Sequence, residues 1–242
     1  MTPQEIMDAT AAKVNALGSA FYFVPETLAV GKAAGLDGMR FYVLGRGGVL
    51  GDVEPAVITS AFGYFNGELV AKLWNSAKEK LTPRAAADLY SEAAATFGRS
   101  KLADVSGLDE FCAAAEKLVA ECPVGGLALY AGWTAQPLAD DLPARAMQLL
   151  ALLREQRGSA HIAAIVATGL RPEIAHIMRR PDMIQAFGWD PAPETNEHHA
   201  GLAALAEELT DSALRPTFAC LSDAEATAYV AGIDAIEAAL AN

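Results

Sequence analysis

The run Leu152-Leu153-Arg154-Glu155-Gln156-Arg157-Gly158-Ser159-Ala160-His161 decides how this chain is read. Two arginines, a glutamate and a histidine stand close together in a segment that is otherwise apolar and helical in pattern. Charges are rarely set into a core-facing helix unless they are paired or meet a ligand. On a continuous helix, positions 154, 157, 158 and 161 share one face, because three- and four-residue steps stack. Arg154, Arg157 and His161 then line that face, and Gly158 leaves room at its centre for another backbone or a ligand. Arginine suits planar recognition of carboxylate or phosphate, and histidine donates, accepts or ligates. Two readings stay open: an internal salt-bridge cluster between helices, and a ligand or catalytic site.

Outward from this run, helix signals dominate. Thr82-Pro83 is an N-cap followed by proline, Asp141-Leu142-Pro143 is a looser start, and Ser222-Asp223-Ala224-Glu225 has capping-box spacing. Ser106-Gly107-Leu108-Asp109 is a weaker version. Apolar residues recur at helical spacing, as at Tyr229, Ile233, Ile236 and Leu240. The pattern predicts helices near 3–17, 25–35, 53–64, 66–80, 83–98, 107–121, 142–157, 159–168, 172–179, 198–213 and 223–240. Residues 39–44 (Met-Arg-Phe-Tyr-Val-Leu) have strand character but no evident partner strand, so helix stays open there. A linker is expected at 189–196, where two prolines interrupt the helical pattern. The expected fold is all-α, a multi-helix single body with a degenerate helix-turn-helix or winged-helix-like C-terminal part. Residues 1–157 form a helical body with a pocket. Residues 158–242 form a helix-turn-helix-like hairpin and acidic C-terminal helices, the two parts making one compact unit.

The 242 residues suffice for a sizeable core, and the 52% hydrophobic, alanine-rich composition is that of a globular helical chain. A net charge of −12 repels phosphate backbones and argues against non-specific nucleic-acid binding. The charge is uneven: Arg154 to Arg180 is modestly basic, whereas Asp190 to Asn242 is strongly acidic. Cys112, Cys122 and Cys220 are too few and too far apart for a disulfide framework, which places the chain in a reducing, cytoplasmic compartment. No apolar run approaches membrane-spanning length, and the N-terminus lacks a signal-peptide pattern.

Other constellations carry weaker signals. Phe21-Tyr22-Phe23-Val24-Pro25-Glu26 sets aromatics before a helix start, and Glu26 could meet Arg154 or Arg157 across the core; the plain alternative is a hydrophobic staple with a cap. Gly45-Arg46-Gly47-Gly48-Val49-Leu50-Gly51 reads as a glycine-rich loop able to cradle an anion, or as an ordinary turn, and it matches no nucleotide-binding fingerprint. Residues 161–180 have a helix-turn-helix pattern with Gly169 at the turn, from which Arg171, Arg179 and Arg180 would reach phosphates. An ordinary helical hairpin is the alternative. The four histidines have no local metal-ligand spacing, so no metal site is expected, and no sequence motif names a cofactor.

The ordered series Tyr22-Phe23-Val24-Pro25-Glu26, Ala34-Gly35-Leu36, Tyr42 with Gly45-Arg46, Phe62-Gly63-Tyr64-Phe65, Leu153 to His161, and Phe187-Gly188-Trp189 resembles an actinobacterial family labelled as helix-turn-helix proteins, distantly MarR-like. The resemblance implies an all-α body, a winged-helix-like C-terminal part and a bound small molecule. Two features depart from it. Gln156 stands where such proteins usually carry histidine, and only about a dozen residues separate Trp189 from the helix near Gly201. A two-stranded wing with its helix needs on the order of twenty or more residues. That shortfall, with the acidity of the region, makes nucleic acid a doubtful partner.

Three functions follow, in order of preference. The first is a small-molecule-binding all-α protein on a regulator-like scaffold, with Arg154, Arg157, His161, Glu26, Tyr22 and Arg46 around the ligand. The second is a ligand-responsive regulator that binds DNA as a homodimer through Arg171, Arg179 and Arg180. The third is a cytosolic enzyme using Glu26 or His161 as acid/base and an arginine as anion clamp.

Overall fold

The computed structural model describes residues 1–241, and every regular element among them is helical. Twelve α-helices follow in chain order: α1 (Pro3–Leu17), α2 (Pro25–Ala33), α3 (Gly38–Gly47), α4 (Pro55–Phe62), α5 (Gly67–Lys78), α6 (Pro83–Lys101), α7 (Leu108–Glu121), α8 (Ala128–Thr134), α9 (Leu142–Ala167), α10 (Pro172–Arg179), α11 (Glu197–Phe218) and α12 (Asp223–Leu240). Short 3-10 turns lie at Gly48–Leu50 and Pro181–Met183.

The starts expected from sequence form for the expected reasons. Thr82 accepts from the Ala85 amide with Pro83 behind it, Asp141 accepts from the Ala144 amide, and Ser222 and Glu225 close a reciprocal capping box. Gly107, by contrast, heads α7 without a side-chain cap bond.

Helix α9 is the axis of the molecule. Every residue from Ala146 to Leu153 is buried and all but Gln148 are apolar, as suits a helix enclosed by others. Helices α1, α6, α7, α8, α10 and α11 all pack on it. The break expected between residues 157 and 159 does not exist: α9 runs unbroken through Gly158 for 26 residues. Tertiary enclosure keeps the glycine helical despite its poor intrinsic propensity.

Three further readings are decided by the structure. Residues 39–44 are not a strand but the middle of α3, whose start is fixed by the Asp37 carboxylate accepting from the Arg40 amide. The presumed glycine-rich loop is the last turn of α3 followed by a 3-10 turn. The hairpin wing that the family resemblance implies is absent among the described residues: between Trp189 and α11 the chain is irregular, without strand pairing. Helix α8 was not foreseen from the sequence, and α11 runs five residues past the expected end at 213, to Phe218, through Pro216.

Burial falls into two cores. The larger fills the body around α1, α3, α5, α6, α7 and the first part of α9. The smaller joins Ala164 and Ile165 at the end of α9, Leu170 in the turn, Ile174 on α10 and Ala206 on α11. The segment following Arg180 straps the second core to the first. Phe187 accepts through its carbonyl from the Asn66 amide at 2.9 Å, and the Trp189 indole donates to the Tyr64 carbonyl at 2.8 Å.

Candidate functional site

At the seam between the two cores the charged face of α9 opens into a pocket of about 260 Å³. Its wall takes Arg154, Arg157, Gly158 and His161 from α9, Tyr42 and Arg46 from α3, and Phe62, Tyr64 and Phe65 from α4 and the turn after it. Ala175, His176, Arg179, Arg180 and Phe187 close it from the hairpin side. Five arginines face this space and no carboxylate lines it.

The inner end is an ion-pair cluster. Arg46 donates from Nε and Nη2 to the two oxygens of Glu155, both at 2.7 Å, and from Nη1 to the Tyr42 hydroxyl at 2.9 Å. The Tyr22 hydroxyl donates to Glu155 at 3.1 Å and accepts from Arg154 Nη1 at 2.9 Å, and Arg154 also reaches Glu155 at 3.1 Å. The Arg46 and Glu155 side chains are only 7% and 3% exposed. Burial by itself raises the Glu155 carboxyl, but the Arg46 guanidinium and then Arg154 outweigh it, and its pKa lies below the ordinary glutamate value. The Arg46 guanidinium lies over the Phe62 ring at 4.4 Å, and that of Arg154 over the Tyr22 ring at 5.0 Å.

The outer end faces α11. Arg157 pairs with Glu207 at 2.8 Å and with Asp211 at 3.5 Å, and Arg179 approaches Glu207 at 3.7 Å. The Thr210 hydroxyl donates to the Ala206 carbonyl at 2.6 Å, so it accepts from His161 Nδ1–H at 2.9 Å. That fixes the tautomer and leaves His161 Nε2 facing Glu207 at 3.6 Å. Burial lowers the His161 pKa, opposed by Glu207 and reinforced by Arg157 and Arg179. Rings line the intervening wall in sequence: Tyr42 to Phe62 at 5.8 Å, Phe62 to Phe65 at 6.0 Å, Phe65 to Phe187 at 3.9 Å, Phe187 to His176 at 3.8 Å and His176 to Tyr64 at 5.3 Å.

Of the residues singled out in the sequence, Arg46, Arg154, Arg157 and His161 converge on this pocket, and Tyr22 braces it through Glu155. Glu26 does not take part. It is exposed in the first turn of α2, and the carboxylate that meets Arg154 is Glu155, its own neighbour in the opening run. Arg179 and Arg180 line the pocket's mouth, while Arg171 lies outside it and pairs with Glu173 at 3.1 Å. Sequence reasoning missed Tyr42, Phe62, Tyr64, Phe65, His176 and Phe187 as wall residues. Several of them stood in the ordered motifs, but only the packing of α4 and the strap against α9 shows that their rings face one space.

A helix-turn-helix pair is therefore present: the end of α9, a turn with Gly169 at φ +76°, and α10. Together with a pocket at its base, this defines an all-α protein built around a helix-turn-helix hairpin. A family model described as a helix-turn-helix family matches residues 7–242, and the chain belongs to that family. No curated protein and no solved structure matches it.

Proposed function

We propose that this chain is a small-molecule-binding protein on a regulator-like helix-turn-helix scaffold, acting in the cytoplasm. The observation that carries the reading is the pocket at the base of the hairpin, where a few convergent polar groups meet an aromatic wall. Both readings of the opening run have a share in it. Arg46, Glu155 and Arg154 are an internal ion-pair cluster, and its two arginines line the pocket's floor. Native mass spectrometry of the purified protein, with thermal shift across a metabolite panel, tests the proposal. A retained small molecule or a raised melting temperature supports it; neither signal, across the whole panel, removes it.

Membership of a helix-turn-helix family favours a second reading, in which the same protein contacts DNA. Arg171, Arg179 and Arg180 flank the ends of α10 with side chains 68%, 60% and 55% exposed. A recognition helix presents its N-terminal residues to base edges. Here Pro172 and Glu173 stand at that end, and the rest of α10 as far as Met178 is half-buried or buried. A low-salt gel shift with neighbouring promoter DNA decides this reading: retardation lost on replacing the three arginines by glutamine carries it, and no retardation at micromolar protein removes it. The acid/base enzyme reading has less support, because Glu26 lies outside the pocket that His161 lines.

A further inference from the structure

We infer that the pocket's occupant is an organic oxyanion, a carboxylate or phosphoryl group on a flat aromatic body; this rests on the ligand-binding reading above. The first ground is charge. In a chain of net −12, five arginines line one space and, among the described residues, no carboxylate does; Arg157 and Arg179 lean on Glu207 and Arg180 on Asp182 beside it. Arg46 takes both Glu155 oxygens, and Arg154 shares one of them, so two guanidiniums lean on a single carboxylate at the inner end. The Arg154 side chain is only 20% exposed, and a cation withdrawn from water without its own counter-charge is costly. An oxyanion supplies the missing charge, and guanidinium forks match its geometry.

The second ground is shape. Between the inner and outer arginines the wall is the succession of rings from Tyr42 through Phe62, Phe65 and Phe187 to His176. Flat apolar bodies pack against the edges of such a wall, and the arginine ends fix which way the charge points. The volume of about 260 Å³ is just under the roughly 300 Å³ at which drug-sized pockets begin, which suits a one- or two-ring acid. Gly158 lies on the same wall with nothing within 4 Å of where its Cβ would stand.

Titration calorimetry on the full chain with matched probes tests the class. Naphthoate is compared with naphthamide, and naphthyl phosphate with inorganic phosphate. One or both aromatic acids should bind at least about tenfold tighter than the amide, the scale of one charge-assisted hydrogen bond. Arg154→Gln and Arg157→Gln should each erase that margin, and Lys101→Gln, exposed at the end of α6, should keep it. Should Arg154→Gln fail to fold, Arg154→Lys retains the charge and should bind with reduced preference for the acid. Equal affinity for acid and amide overturns the oxyanion class while leaving the ligand-binding reading in place. Inorganic phosphate binding as tightly as its naphthyl ester overturns the aromatic body. No binding by any probe, with no small molecule released when the purified protein is denatured, overturns both.

Discussion

At the residue scale, Glu155 is the hinge of the site's energetics. It holds Arg46 by two charge-assisted bonds in a nearly water-free setting, so removing its charge strands a buried guanidinium. Glu155→Gln should cost about 3–5 kcal/mol of stability, read from urea midpoints, whereas replacing both partners by methionine should cost less than the single change. The Glu155 pKa is depressed in the fold, so its contribution is present above the unfolded carboxyl's value and is lost as pH falls through the lower folded one. His176 behaves in the opposite chemical sense but loses stability in the same direction. Burial first, then Arg180 and Arg179 against Asp182, lowers its pKa to about 4, and its Nε2 is buried without a partner. The fold prefers the neutral ring, so stability is complete above the unfolded value near ~6.5 and erodes as pH drops from there towards about 4, by roughly 1–3 kcal/mol. His176→Phe keeps the stack on Phe187 and should flatten that part of the profile, checked by denaturant midpoints at about pH 7.5 and about pH 4.5.

At the element scale, α9 shows why one glycine is dispensable and another is not. Gly98 on α6 meets α9 so closely that an added Cβ would stand 2.3 Å from the Pro143 carbonyl oxygen and 2.8 Å from Met147 Cβ. Gly98→Ala should therefore destabilise by about 1–3 kcal/mol. Gly158 meets no neighbouring atom within 4 Å, so Gly158→Ala should stabilise by roughly 0.5–1 kcal/mol through helix propensity. Differential scanning calorimetry of the two variants reads opposite shifts. Helices whose starts are written locally were legible: a serine, threonine or aspartate cap acts within three residues. Helix α3 was not, because Phe41, Tyr42, Val43 and Leu44 are all buried and a fully enclosed segment shows no one-sided period. The continuity of α9 through Gly158 was hidden for a related reason, since it comes from the helices packed around it.

At the scale of the whole molecule, the acidic chain carries three arginines, Arg46, Arg154 and Arg157, inward at the seam between its cores, and leaves Leu205 and Leu209 of α11 exposed. Leu205 and Leu209 are 43% and 38% exposed one turn apart. The homodimer expected from the sequence would bury these two leucines, twofold pairs being the commonest assembly. Light scattering coupled to size exclusion should give a dimer mass for the natural chain and a monomer mass for the Leu205→Glu, Leu209→Glu variant; a monomer for both removes the dimer.

What the sequence by itself determined is what acts over a few residues: the all-helical character, most helix starts, and the conjunction of Arg154, Arg157 and His161 on one face of α9. The turn at Gly169 and the lack of room for a wing were legible for the same reason, since chain length and glycine chemistry are local. What only the tertiary structure decided is which partner each charge takes. In the sequence Glu26 is the carboxylate offered to Arg154 and Arg157, yet α3 and α9, both packed on α6, bring Arg46 to Glu155 and leave Glu26 in water. The opening run thus proves to be both a structural ion-pair network and the floor of a cavity. Long-range packing makes that difference, because the ring-lined wall facing the run comes from segments some ninety residues earlier and from the strap that follows α10.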